Sequence, residues 1–254
     1  LISRAPIFET GAFFCAFMTI TSHTNQHLTE IRKLSGTHAR AQSQRFVAEG
    51  EDLEAAARAA GVVALYVLCA PGLAAGRANW HEVEPALLAR VSKLGSGSRV
   101  IAVYEQRWGT PVGPLTLALW GVSDPGNVGT IIRAARAFGA NSVALGPTCA
   151  DPYGPRAVRA SMGAVFGMPL ARVKELSELP GAIVGLAPGG HPAFRGPLDG
   201  VTTLLIGSER DGLPDDVLGA CARVCSIAQV AGDSLNAAMA ATVALYEVTR
   251  MAGP

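Results

Sequence analysis

The chain has 254 residues, 49% of them hydrophobic and 16% charged, which permits one large folded unit or two small ones and excludes global disorder. The net charge is +1, with Lys and Arg spread through both halves, so neither half is a basic module and any nucleic-acid contact must come from local patches. The five cysteines form no CxxC pair and the five histidines no HExxH, so the thiols read as reduced and buried in a cytoplasmic protein, with no support for a metal.

Residues 1–17 hold a short apolar run, Gly11 to Phe17, too short to span a bilayer. With Met18 as a natural start, 1–17 reads as a leader or upstream read-through. No other segment is long and apolar enough to span, so no membrane partner is expected. Thr24 to Leu34 suits an amphipathic helix. Residues 32–45 then carry Arg32, Lys33, Arg40 and Arg45 with no acid: a candidate phosphate-contact patch, or equally an ordinary solvated face. A strand at 46–48, a helix at 51–60, a strand at 62–70 ended by Pro71-Gly72, a helix at 85–91 and a strand at 100–104 follow. Residues 18–108 thus form a small α/β unit, and 109–114, with Pro111 and Pro114, a linker.

The second unit spans 115–254. An apolar strand at 115–120 runs into the turn Asp124-Pro125-Gly126, with Asn127 as the expected cap of a helix. Val128, Ile131, Ile132, Ala135 and Phe138 form its apolar face, and Arg133 points away from it. Further strands are expected at 142–145, 182–186 (ended by Pro188-Gly189-Gly190), 203–207 and 222–227. Helices are expected at 157–166 and 214–220, and a last one runs from a Ser234 cap to Arg250 with Leu235, Met239, Val243 and Tyr246 on one face. Alternating strands and helices make the fold α/β, with a mostly parallel sheet covered on both sides.

Three polar clusters follow three strands: Asn127 to Arg133, Gly207 to Leu213, and Gly232 to Asn236. Taken singly, each has a bland explanation as a cap, a turn glycine or a solvated charge. Strand ends of one parallel sheet converge, so together they can build one site. Other chemistries fit poorly. No GxGxxG, P-loop or GxSxG occurs, and Arg159-Ala-Ser-Met-Gly163 lacks the first glycine of a nucleophile elbow.

Residues 115–250 resemble the SpoU/TrmH family of RNA ribose 2′-O-methyltransferases, within the knotted SPOUT superfamily. Its first motif is matched by Asn127, Gly129 and Arg133, its second by Gly207, Glu209, Gly212 and Leu213, and its third by Ser234, Leu235 and Asn236. Residues 150–170 resemble the segment between, and 45–56 resemble the small substrate-binding domain that many members carry in front. The resemblance implies a homodimer with a C-terminal trefoil knot, S-adenosylmethionine as cofactor and RNA as partner. It places Gly207, Ile227 and Leu235 at the adenosine end of the cofactor. Arg133, Asn127, Glu209, Ser234 and Asn236 become the catalytic set, with Arg133 able to act across the dimer. A guanidinium gives up its proton so reluctantly that Arg133 is a better phosphate ligand and oxyanion stabiliser than a base. The separate front domain favours rRNA; a tRNA enzyme and a non-catalytic RNA-binding protein are the alternatives.

One position departs from the family pattern. Ile227-Ala228-Gln229 lacks the usual proline after the isoleucine. The loop is therefore expected to be looser and the cofactor more weakly held. Calorimetric titration should show tighter S-adenosylmethionine binding by Ala228→Pro; ordinary micromolar affinity unchanged by the substitution would remove this expectation.

Overall fold

The computed structural model describes residues 19–93, 97–192, 200, 202–230 and 235–252. The expected leader at 1–17, and Ser234, lie outside these residues.

The first unit contains α1 (Gln26–Leu34), α2 (Thr37–Ser43), β1 (Arg45–Glu49), α3 (Glu51–Ala59), β2 (Tyr66–Cys69), β3 (Trp80–Glu82), α4 (Pro85–Val91) and β4 (Val100–Glu105). Its strands form one sheet in the order β1-β4-β2-β3, in which only the β2–β3 pair is parallel. Strand alternation divides its residues between two cores. Val47, Leu68, Ile101 and Val103 pack with Leu28, Ile31 and Leu34 of α1 and Leu87, Leu88 and Val91 of α4. Phe46, Ala48, Val67, Ala102 and Tyr104 face the other way, into a core shared with the second unit.

The second unit contains β5 (Leu115–Leu119), α5 (Pro125–Ala137), β6 (Ser142–Leu145), α6 (Pro155–Ala160), β7 (Leu170–Arg172), β8 (Ala182–Pro192), β9 (Thr202–Ile206), α7 (Asp215–Gly219), β10 (Arg223–Ser226) and α8 (Ala237–Ala252). Its six strands are all parallel, in the order β10-β8-β9-β5-β6-β7. Both faces are covered, as a parallel sheet requires. Leu117, Leu119, Leu204 and Ile206 share a core with Val128, Ile131 and Ile132 of α5 and Ala241, Ala244 and Leu245 of α8. Ala118, Ala144 and Leu205 face Val217 of α7 and Val173.

Some elements differ from expectation. The helix expected at 157–166 is α6 plus a separate 3-10 turn, Ala164–Phe166, with Gly163 between them at φ 85°. β3 and β7 are too short to show a period, and α2 has no apolar face, since Arg40 is its buried residue. Pro188-Gly189-Gly190 does not end β8. Val224 pairs with Gly185 and the next residue, Cys225, with His191, so residues 186–190 bulge out within the strand.

The two sheets are not loosely tethered. Phe46 lies 4.7 Å from Tyr153 and 5.9 Å from Phe166, and Tyr104 lies 4.8 Å from Phe166, ring centroid to centroid. Residues 109–112 are themselves fastened: Gly109 N donates to Leu170 O and Val112 N to the Ser142 hydroxyl. Arg40 adds a buried cross-tie. Its Nε donates to Asp151 at 2.8 Å, and its Nη1 to the carbonyls of Leu34 and Ser35. Loss of one partner from such a pair strands a buried charge. Arg40→Ala should therefore cost about 3 kcal/mol in urea unfolding, whereas Arg32→Ala, at a more exposed site, should change stability by less than about 0.5 kcal/mol.

Candidate active site

Asp124, rather than Asn127, caps α5. Its Oδ1 accepts from Asn127 N at 2.9 Å, and Pro125 takes the first helical turn, where a missing N–H costs nothing. Asn127 therefore sits inside the first turn with its side chain free for tertiary contacts. That side chain donates through Nδ2 to Glu209 Oε1 at 2.6 Å and accepts at Oδ1 from Asn236 Nδ2 at 3.0 Å. Asn236 Oδ1 accepts in turn from the backbone N–H groups of Ala238 and Met239, which makes Asn236 a cap of α8.

The direction of this chain is determined chemically. An ionised carboxylate only accepts, so Asn127 must present its amide nitrogen to Glu209 and its oxygen to Asn236. Asn236 must then donate to Asn127, which leaves its own oxygen for the helix start. One residue from each of the three expected clusters is thus tied into a single polar line.

The glycines of these clusters have steric reasons. A Cβ on Gly129 would lie 2.2 Å from Ala157 O, so α5 and α6 can approach only without one. A Cβ on Gly207 would lie 2.3 Å from the Gly212 carbonyl carbon, and the backbones of Ser208 and Gly212 exchange two hydrogen bonds there. The loop after β9 is consequently a tight, closed turn that carries Glu209 at its tip.

Beside this turn lies a cavity of about 400 Å³ lined by Gly207, Glu209, Asp211, Ile227, Gln229 and Leu235, among others. Gly207, Ile227 and Leu235, the expected cofactor residues, meet around this one space. Its remaining wall comes from Leu186, Ala187 and Pro188, the bulged residues of β8, and from Ile206 and Cys225. Sequence reasoning missed this wall; its only signal was the Pro-Gly-Gly that reads as a strand end. Burial pushes the Cys225 thiol up from its ordinary value.

Arg133 is exposed and, among the described residues, has no hydrogen bond or ion pair. Six residues at about 100° each place it roughly 120° around α5 from Asn127. It therefore does not face the polar line of its own chain. The expected basic patch is also divided. Arg40 is buried in its ion pair and is removed from the candidate RNA contacts, because its charge is spent inside the protein. Arg45 pairs with Glu30 at 2.8 Å, and Arg32 donates to His23 O. Lys33 is exposed.

A parallel sheet with a cavity and converging polar residues at its strand ends defines an α/β protein that holds a small ligand there. Residues 114–246 match the sequence model of the SpoU rRNA Methylase family, and the chain belongs to that family. A solved AdoMet-bound rRNA methyltransferase from Sinorhizobium meliloti superposes with a TM-score of 0.81 at 29% identity, covering 92% of this chain and 97% of that one. Ribosomal RNA small subunit methyltransferase G 2 of Syntrophobacter fumaroxidans is 32% identical over 95% of the chain but only 51% of its own length. The 23S rRNA (uridine(2479)-2′-O)-methyltransferase of Streptomyces viridochromogenes is 35% identical over 50% of each chain. The chain thus spans about half the length of these two curated relatives.

Asn127→Asp would set a carboxylate against Glu209 where a donor now stands. It should lower the thermal midpoint by several degrees at neutral pH. The loss should shrink as pH falls, because protonating one carboxyl of such a like-charged pair restores a donor between them. Melting curves across a pH series test this.

Proposed function

We propose that this chain is an S-adenosylmethionine-dependent methyltransferase that modifies a ribose 2′-hydroxyl of RNA, rRNA before tRNA. The observation that carries the reading is the hydrogen-bonded line Asn236–Asn127–Glu209 at the mouth of the cavity. A protein that only bound RNA would have no need for a polar line braced against a small-molecule cavity. The named relatives support rRNA and the 2′-hydroxyl.

The cavity suits the cofactor in size and in donor set. At about 400 Å³ it falls within the usual range for such ligands. Ile206, Ile227, Leu235 and Ala237 offer apolar walls for an adenine face, and backbone groups around Gly207 and Ile227 its edge contacts. The carboxylates of Glu209 and Asp211 answer the positive charge of the methionine end. When bound, S-adenosylmethionine supplies an electrophilic methyl group. Asn127 and Asn236 hold Glu209 and the start of α8 in place, and Ser234 completes the catalytic set that the family resemblance implies. Arg133 binds a substrate phosphate and stabilises the oxyanion that develops on the ribose oxygen.

Two observations support a homodimer. Met239, Val243 and Tyr246 expose an apolar strip on α8, at 62%, 38% and 51% of their surface. Arg133 also faces away from its own polar line, which suits action on the partner's cofactor. The trefoil knot is supported by the path of the chain end: β10 lies at the sheet edge beside β8, and α8 returns to pack on α5 and β9. Arg32, Lys33 and Arg45 remain as candidate RNA contacts, on a front unit that gives rRNA a second recognition surface.

Mass-spectrometric mapping of 2′-O-methylated nucleotides in rRNA and tRNA, with and without the gene, tests the reaction and the substrate together. Arg133→Ala and Arg133→Lys should each lose about 100-fold or more in turnover. Mixing Arg133→Ala with a cofactor-pocket variant, Gly207→Val, should restore part of the activity through heterodimers; near-normal turnover of both Arg133 variants would remove the assignment.

A further inference from the structure

A second pair of cavities lies between the two units, away from the cofactor space. One, of about 300 Å³, is walled by Val47, Leu53, Val158 and Ala160. The other, of about 520 Å³, is bordered by Thr37, Ala150 and Gly154. Lys93, Pro155 and Arg156 line both, so the two form one cleft. Pro125 and Gly126 line it as well, and the next residue is Asn127 of the polar line. The cleft therefore ends at the turn that opens the methylation site.

Its charges are unequal in availability. The two acids in the lining are engaged: Glu49 accepts from the Ser92 hydroxyl and Lys93 N, and Asp151 accepts from Arg40. Arg159 is held by Asp52 at 2.7 Å. Lys93 is exposed and has no ion pair among the described residues. Arg156 is 75% exposed and reaches Asp124 only at 3.5 Å. Two cations thus stand at the mouth of a slot with aliphatic walls.

We infer that this cleft holds a nucleotide of the RNA substrate that flanks the methylated one, with its base between the aliphatic walls and its phosphate on Lys93 and Arg156. The combination of an apolar slot with a cationic rim matches a nucleotide, which has a planar apolar face and an anionic end. It also matches the location, since a strand crossing Pro125 and Gly126 continues directly toward Asn127. Both units contribute walls, and the shared core holds them in register, so the front unit acts as half of the slot as well as a separate surface. This inference rests on the proposed RNA methyltransferase reading.

The test uses the full chain and a short fluorescent oligouridylate, titrated across a salt series, with calorimetric S-adenosylmethionine binding alongside. The double variant Lys93→Gln/Arg156→Gln should bind cofactor as before, lose RNA affinity and flatten the salt slope by about 0.7, the value for one neutralised phosphate on a single strand. Inorganic polyphosphate should compete less well than oligouridylate, because it has no bases for the slot. An unchanged slope in the double variant, equal competition by polyphosphate, or a change of oligomeric state in place of RNA affinity would each overturn the cleft assignment while wild-type RNA binding keeps the broader reading intact. Absence of both RNA binding and RNA methylation in the wild type would instead overturn the broader reading, and this one with it.

Discussion

The hydrogen-bonded line from the start of α8 through Asn236 and Asn127 to Glu209 is the constraint on which the site depends. It joins segments more than eighty residues apart in sequence, between 127 and 209 and between 127 and 236. Its direction is set by one carboxylate that can only accept. Because each amide has a single satisfying orientation, the loops that carry Glu209 and Asn236 cannot shift independently of α5. The cavity next to them inherits that order. A preorganised polar arrangement of this kind is what a charge-developing reaction needs, since no reorganisation is left for the reacting moment.

The scaffold supplies the rigidity behind this line. Six parallel strands bring the ends of β5, β8, β9 and β10 to one side, with hydrophobic cores on both faces. Gly129 lets α5 and α6 approach to backbone contact, and Gly207 lets the turn after β9 close on itself. The front unit is continuous with this core through Phe46 and Tyr104, and the buried pair Arg40–Asp151 fixes its orientation. An arginine that reads as an RNA contact in the sequence is thereby a strut between units.

Long periodic segments were legible in the sequence. β5, α5, β6 and β9 lie within a residue or two of their expected positions, because runs of four or more residues of consistent burial stand out in the sequence. β3 and β7, with three residues each, and α2, whose sequence THARAQS buries only Arg40 and so carries no apolar pattern, are not legible. β8 was cut short because Pro188-Gly189-Gly190 is a local breaker, whereas pairing with β10 on both sides of the bulge carries the strand through it. Asn127 was assigned to the cap because Asn is a good N-cap in isolation; Asp124 three residues earlier, with Pro125 behind it, is a better one.

The sequence by itself determined the α/β class and the three polar clusters, because hydrophobic period and residue chemistry are local properties; Gly207, Ile227 and Leu235, which line the cavity, were indicated by the family resemblance. Tertiary structure alone decided the partners: that Asn127 bridges Glu209 and Asn236, that Arg40 is spent on Asp151 while Arg133 has no ion pair among the described residues, and that bulged residues of β8 complete the cavity wall. Hydrogen bonds and ion pairs depend on which side chains the fold brings within about 3 Å of each other, and that proximity is a property of the packed chain.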